Sequence, residues 1–177
     1  GRLLSEFVAE GVGGAGGLVQ LYHSAHPGVR QRELALEEVM AETPGLEIVD
    51  SFYVTVPGPI DASRIAMENI LRGQSGRVEA VWAAWDEPAI GAVLALQAMG
   101  LDDGSIFVAG IDGNPQAVEM IRDCTPLVAT VKQNFGEMAA MAAAGLEEIF
   151  AGALAGAEER YAPASLVTRE SLGVTCG

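Results

Sequence analysis

The segment 78–113, VEAVWAAWDEPAIGAVLALQAMGLDDGSIFVAGIDG, constrains the fold most strongly, because it predicts two buried strands on either side of one helix. Residues 78–84 and 106–111 are short apolar runs, which are typical of strands buried on both faces. Asp86 is suited to capping the helix between them, and Gly100 is placed to end it. This order predicts two parallel strands of one sheet joined by a helical crossover.

Two side chains follow these strands directly. Trp85 comes after the first strand, and Asp112 ends the second. Open α/β sheets bind ligands in the crevice at the carboxyl ends of their strands, so we expect Trp85 and Asp112 to face one crevice. Asn114 is suited to capping the next helix, with Pro115 at its first position, and this specifies the intervening turn tightly.

Strands alternate with helices along most of the chain. We predict strands at 18–22, 46–56, 78–84, 106–111 and 127–132, and further helices at 3–10, 29–41, 60–71 and 135–149. This alternation predicts an α/β fold, with a flavodoxin-like open parallel sheet and helices on both of its faces. The tail departs from the pattern, because 165–168 and 172–175 are predicted as short extended segments. We assign the tail and the opening helix to a second lobe.

The composition excludes several classes of function. With 177 residues, of which 50% are hydrophobic and 19% charged, the chain is large and apolar enough for one main domain with a core. Its longest apolar runs are too short to span a membrane. A formal net charge of -14 opposes binding to nucleic acid or to an anionic membrane, and favours a neutral or cationic ligand. Cys124 and Cys176 are consistent with one disulfide or with two separate thiols.

Two motifs that resemble cofactor sites are better explained as loops. Residues 11–16 match the glycine spacing of a dinucleotide fingerprint, but they follow a predicted helix and lead into a strand, the reverse of that site. His23 and His26 share a loop that lacks a completing set of metal ligands, so we place them at the crevice rim. The chain also has no nucleophile elbow, phosphate-binding loop or HExxH motif. We therefore predict no enzyme activity, no cofactor and no metal.

Three polar residues are candidates for ligand binding. Arg32 lies in the first turns of a predicted helix, where the positive helix end disfavours it unless it has a partner. A guanidinium donates hydrogen bonds from a planar fork and a carboxylate accepts them in pairs, so Arg32 and Asp112 are suited to neighbouring hydroxyls of a sugar. Gln133 ends the fifth strand and both donates and accepts. Asp61 and Asp86 are set aside because both lie at predicted helix starts.

The chain resembles the periplasmic sugar-binding proteins that deliver monosaccharides to ABC transporters, the ribose- and galactose-binding group. The resemblance rests on AVWAAWDEPAIGAVLALQAMG, VAGIDGNPQAVEMI and LVATVKQNFGEMAAMAA, in this order and spacing. That family has two α/β lobes joined by a hinge, with the sugar between them. Only the second half matches, which implies a fragment or a short relative: 1–17 belonging to the first lobe, 18–156 forming the C-terminal sugar-binding lobe, and 157–177 returning toward the first lobe.

The resemblance also assigns roles by position. Arg32 matches the family's sugar-binding arginine, Asp112 the aspartate of its Phe-Asp-Gly turn, and Gln133 the glutamine after its Ala-Thr-Val strand. Trp85 departs from the pattern, because ribose-binding relatives commonly have asparagine there. An indole offers a flat apolar face to sugar C–H groups in place of the hydrogen bonds of asparagine. This exchange argues against ribose as the ligand. The alternative is that Trp85 only packs against the core.

The function implied by the resemblance is the solute-binding component of an ABC importer, which binds a monosaccharide or polyol and presents it to a membrane permease. The implied location is periplasmic or extracytoplasmic, with a lipid anchor on the full-length protein as an option. The alternative is the effector domain of a LacI-type repressor, although Gly-Ile-Asp-Gly at 110–113 differs from the repressors' common Gly-Phe-Asp-Asp. An uncovered inter-lobe surface would favour self-association.

Overall fold

A computed structural model describes residues 1–153 and 159–176. Its strands are β1 (Ala15–Tyr22), β2 (Gly45–Tyr53), β3 (Ala80–Ala83), β4 (Phe107–Asp112), β5 (Leu127–Lys132) and β6 (Ser165–Thr168). Its helices are α1 (Arg2–Gly11), α2 (Pro27–Glu42), α3 (Pro59–Gln74), α4 (Asp86–Met99), α5 (Pro115–Arg122) and α6 (Phe135–Phe150), with a 3-10 turn at Ser75–Arg77.

The described strands form one sheet in the order β2-β1-β3-β4-β5-β6. The first five in this order are parallel, and β6 pairs with β5 in the antiparallel sense at the edge. The order β2-β1-β3-β4-β5 is that of flavodoxin. The predicted α/β fold with an open parallel sheet is confirmed, and the antiparallel edge strand is an addition to it.

The core lies on both faces of the sheet, because consecutive side chains of a strand point to opposite faces. In β3, Val81 and Ala83 pack with α3, α4 and α5 in one buried cluster. Ala80 and Trp82 pack on the other face, in a cluster that includes side chains of α1 and α2. Continuous apolar runs such as 80–84 are what a strand covered on both faces requires.

The opening helix and the tail both contact this sheet. Leu4 and Val8 of α1 are fully buried, and the disulfide between Cys124 and Cys176 ties the end of the chain to the residues after α5. Residues 169–173 form turns, so the predicted extended segment 172–175 is wrong: the chain folds back on itself there through backbone hydrogen bonds. The predicted boundary at 156/157 lies outside the described residues, and the division of the chain between two lobes stays a prediction.

Helix α6 differs from the other helices, because none of its residues is buried. Its exposed apolar side chains include Phe135, Met138, Leu146 and Ile149, which we call the α6 face. The apolar spacing correctly predicts a helix here, but this helix does not cover the sheet. The two covered faces of the sheet come from α1 to α5.

Candidate ligand-binding site

The carboxyl ends of β3, β4 and β5 meet beside the start of α2 and form a cleft of about 600 Å³. All four residues predicted for the site line this cleft: Arg32, Trp85, Asp112 and Gln133. Arg32 comes from the second turn of α2, whereas the other three follow or end the strands. The parallel sheet therefore brings together residues that lie up to 101 positions apart in the sequence.

Asp112 is the centre of the polar side of the cleft. Its Oδ1 accepts a hydrogen bond from Arg32 Nη2 at 2.9 Å and another from Gln133 Nε2 at 2.6 Å. Arg32 Nη1 donates to the carbonyl of Ala84 at 2.6 Å, which fixes the guanidinium to the end of β3. No described residue donates to Asp112 Oδ2, and the side chain is 27% exposed, so this oxygen is open to a ligand hydroxyl.

Trp85 forms the apolar wall of the cleft. It lies between β3 and α4 in extended backbone, with φ -155° and ψ 174°, and is partly buried against the clusters on both faces of the sheet. Its ring meets that of His23 edge to face, with centroids 6.1 Å apart. Part of the indole therefore packs against the core and part lines the cleft, and contact with a sugar stays a prediction.

His23 has a defined position at the cleft, beyond its predicted place at the rim. Its Nδ1 lies 2.8 Å from the carbonyl oxygen of Val54, and because a carbonyl only accepts, that nitrogen carries the proton. In the neutral form of a ring protonated at Nδ1, Nε2 is an acceptor. The backbone N–H of His23 donates at 3.0 Å to Glu33, whose side chain is buried. His26 instead caps α2, accepting from Val29 N–H at 3.4 Å.

Asp86 does not have the role predicted for it. The N-cap of α4 is Trp85, which makes no side-chain capping bond, and Asp86 is the first helical residue. Its carboxylate turns away from its own helix and accepts hydrogen bonds from Thr130 and from the backbone of Asn114. Burial raises the pKa of Asp86 to about 6. The cap prediction is wrong because buried donors on neighbouring elements compete for the carboxylate.

Sequence reasoning missed other residues of the cleft. Phe135, Val56, Pro59 and Glu87 line it. Phe135 begins the helix predicted at 135–149, and its place two residues after Gln133 is a signal that it lies near a strand end. Val56 lies in a proline-rich loop without a local motif and Pro59 is the first residue of α3, so periodicity gave no signal for them.

Neither a metal-binding cluster nor a membrane-spanning helix occurs among the described residues. In residues 1–153 and 159–176, no group of three or more histidine, cysteine or acidic side chains is arranged to hold a metal ion. Across the same part of the chain, no helix has the length and apolarity needed to cross a membrane.

A flavodoxin-type sheet with a polar cleft at its carboxyl edge defines a small-molecule-binding α/β lobe. The family model described as "Periplasmic binding protein domain" matches residues 1–153. The chain belongs to this family.

Individual relatives agree with this assignment. The chain is 27% identical over 157 residues to the ribose import binding protein of Escherichia coli (strain K12), covering 86% of this chain and 49% of that protein. A crystal structure of an ABC sugar transporter subunit from Rhodobacter sphaeroides 2.4.1 is 29% identical, with a TM-score of 0.86 over 96% of this chain and 61% of that one. The chain thus spans about half the length of the curated relative.

A second solved structure was determined with a ligand. It is an ABC transporter solute binding protein from Bacillus halodurans C-125 with bound myo-inositol, 30% identical, with a TM-score of 0.79 over 97% of this chain and 58% of that one. All three proteins are similar to the present chain in sequence, and the two solved structures are also similar to it in fold.

Proposed function

We propose that this chain supplies one lobe of the solute-binding component of an ABC importer, which holds a monosaccharide or polyol between two lobes. The proposal rests on the arrangement around Asp112. Its carboxylate accepts hydrogen bonds from Arg32 and Gln133, and the ring of Trp85 lines the same cleft. Hydroxyl-rich ligands need paired acceptors and donors together with an apolar surface for their C–H groups, and this cleft offers both.

Each polar group has a distinct task in this proposal. Asp112 Oδ2 accepts a hydrogen bond from a sugar hydroxyl, and Arg32, held by two existing bonds, is pre-positioned to donate to its neighbour. Hydrogen bonds to charged groups contribute about 1.5–3 kcal/mol each. Trp85 covers the C–H face of the ring. Ribose is disfavoured because the indole accepts no hydrogen bond.

The transport role is supported by the relatives, two of which are named as transporter components and one as an import binding protein. In this role the protein closes its two lobes around the ligand, presents it to a membrane permease and catalyses no reaction. The same relatives favour transport over the LacI-type alternative. The Cys124–Cys176 disulfide supports a periplasmic or extracytoplasmic location, because disulfides persist in oxidising compartments. A lipid anchor and self-association through an uncovered inter-lobe surface stay predictions.

Titration of the chain with pentoses, hexoses and polyols, followed by tryptophan fluorescence, tests the proposal. We expect a saturable change for at least one sugar, weakened at least tenfold in Asp112→Asn because a charged acceptor is lost. Asp102→Asn is the matched control, since Asp102 is exposed and lies outside the cleft. Equal affinity of Asp112→Asn and wild type for the sugar that binds would contradict the site assignment.

The strength of binding tests the two-lobe part separately. One lobe offers only half of an enclosing site, so we expect this chain alone to bind its sugar in the millimolar range or more weakly. Micromolar or tighter binding by the isolated chain would contradict the requirement for a second lobe.

A further inference from the structure

The buried carboxylate of Asp86 joins three elements behind the cleft. Its Oδ1 accepts a hydrogen bond from Thr130 Oγ1, on β5, at 2.6 Å. Its Oδ2 accepts one at 2.8 Å from the backbone N–H of Asn114, the N-cap of α5. Asp86 and Thr130 are both 0% exposed. A single group therefore holds the start of α4 to β5 and to the start of α5.

The same hydrogen bonds reach the turn that carries Asp112. Thr130 Oγ1 gives its proton to Asp86 and accepts from the backbone N–H of Gly113 at 3.1 Å. Asp112 has φ 138°, a conformation that L-residues rarely adopt and that persists only where the surrounding contacts enforce it. The backbone N–H groups of both residues that follow Asp112, Gly113 and Asn114, are held in this way.

We propose that Asp86 is a positioning residue of the ligand site, holding Asp112 in its binding orientation through Thr130 and the following turn. Asp86 does not line the cleft, so it acts without touching the ligand. The inference rests on the proposed function and extends it to a residue behind the cleft wall. It also explains why Asp86 is not used as a helix cap.

The charges around Asp86 are consistent with this role. Burial raises the pKa of Asp86 to about 6, and the nearby carboxylates of Asp112 and Glu87 act in the same direction. The hydrogen bonds from Thr130 and Asn114 oppose this rise. Asp86 is therefore ionised at neutral pH, where a carboxylate is the strongest acceptor available for these two donors. Below about pH 6 the carboxylate of Asp86 is protonated, and Thr130 and Asn114 then donate to an uncharged acceptor.

The test uses Thr130→Val and Thr130→Ser as a matched pair. Valine is nearly the same size as threonine but removes the hydroxyl, whereas serine keeps the hydroxyl and removes a buried methyl group. If Thr130 serves only to pack the core, Thr130→Ser should be the more damaging substitution. If its hydroxyl positions the turn, Thr130→Val should be the more damaging one. Asp86→Asn, which keeps the size of the side chain, is the second variant and reports on the carboxylate itself.

The first readout needs no ligand. In ¹H–¹⁵N NMR spectra, we expect the Gln133 side-chain amide, which donates to Asp112, to shift in Thr130→Val and Asp86→Asn but to stay near its wild-type position in Thr130→Ser. The Asn114 amide should titrate in the wild type with a midpoint near pH 6, and this titration should disappear in Asp86→Asn. A Gln133 amide that is unmoved in folded Thr130→Val would overturn the proposal.

The second readout is the affinity for the sugar identified in the panel. Loss of positioning should weaken binding on the order of tenfold in Thr130→Val and Asp86→Asn, with Thr130→Ser within a factor of two or so of wild type. Folded variants that bind as tightly as the wild type would overturn the proposal. Absence of sugar binding in the wild type would bear on the proposed function alone, and the ligand-free spectra would still decide the role of Asp86.

Discussion

Gly110 in β4 is the position where a single added methyl group should damage the site most directly. A Cβ at Gly110 would lie 2.6 Å from Asp86 Oδ1 and 3.1 Å from the Cβ of Ala89. Asp86 cannot move aside without losing its hydrogen bonds to Thr130 and Asn114. The glycine is required here by the close approach of helix α4 to the strand.

The cost of Gly110→Ala follows from this geometry. Overpacking a buried site by one methyl group typically destabilises a protein by about 1–3 kcal/mol. For a chain of this size, each kcal/mol lowers the melting temperature by about 2–4 °C, so we expect a decrease of about 2–12 °C. The added methyl group also pushes against Asp86, so sugar affinity should fall along with stability.

Thermal unfolding followed by circular dichroism measures this effect, with Gly73→Ala as the control. A Cβ at Gly73, near the end of α3, would meet no atom within 4 Å. Alanine in a helix is more stable than glycine by about 0.5–1 kcal/mol, so the control should melt at or above the wild-type temperature. A melting temperature of Gly110→Ala equal to that of the wild type would refute the close contact between β4 and Asp86.

Three further predictions concern buried polar groups. Ser5→Ala should lower the free energy of unfolding in urea by about 1–3 kcal/mol, because the buried Trp82 indole N–H loses its acceptor at 3.1 Å; an unchanged midpoint would contradict this. Glu33→Gln should cost a similar amount and weaken sugar binding, since buried Glu33 anchors the His23 backbone; unaltered affinity would exclude His23 from the site. Because burial raises the pKa of Asp86 from 3.8 to about 6, the folded state holds a proton that the unfolded chain releases between these values. The free energy of unfolding of the wild type should therefore fall by about 3 kcal/mol, relative to that of Asp86→Asn, as the pH rises from 3.8 to about 6. Parallel plots of this free energy against pH for the two proteins would contradict the prediction.

The predictable part of the fold and site came from local patterns. Buried strands read as continuous apolar runs, and the residue after each run falls at the carboxyl edge of a parallel sheet. Position alone therefore placed Trp85, Asp112 and Gln133 at one cleft. Arg32 was identified because a guanidinium near a helix N-terminus needs a partner, and its partners are Asp112 and the carbonyl of Ala84.

The unpredicted part depends on contacts between distant residues. An aspartate at a helix start fits both a cap and a buried acceptor, and only the fold brings Thr130, 44 residues away, within 2.6 Å of Asp86. The same limit applies to the pairing of Cys124 with Cys176, which spacing left open. The apolar spacing of α6 predicts a helix with an apolar face but does not show that this face is exposed.

The indole N–H signals of the two tryptophans test the central claim most directly. Trp85 lines the cleft, whereas Trp82 is fully buried and bonded to Ser5, so each reports on one region of the protein. When the sugar selected by the panel is added, the Trp85 indole and the Gln133 side-chain amide should shift together and saturate, while the Trp82 indole stays fixed. Saturable binding that leaves Trp85 and Gln133 unmoved would contradict the assignment of this cleft as the sugar site.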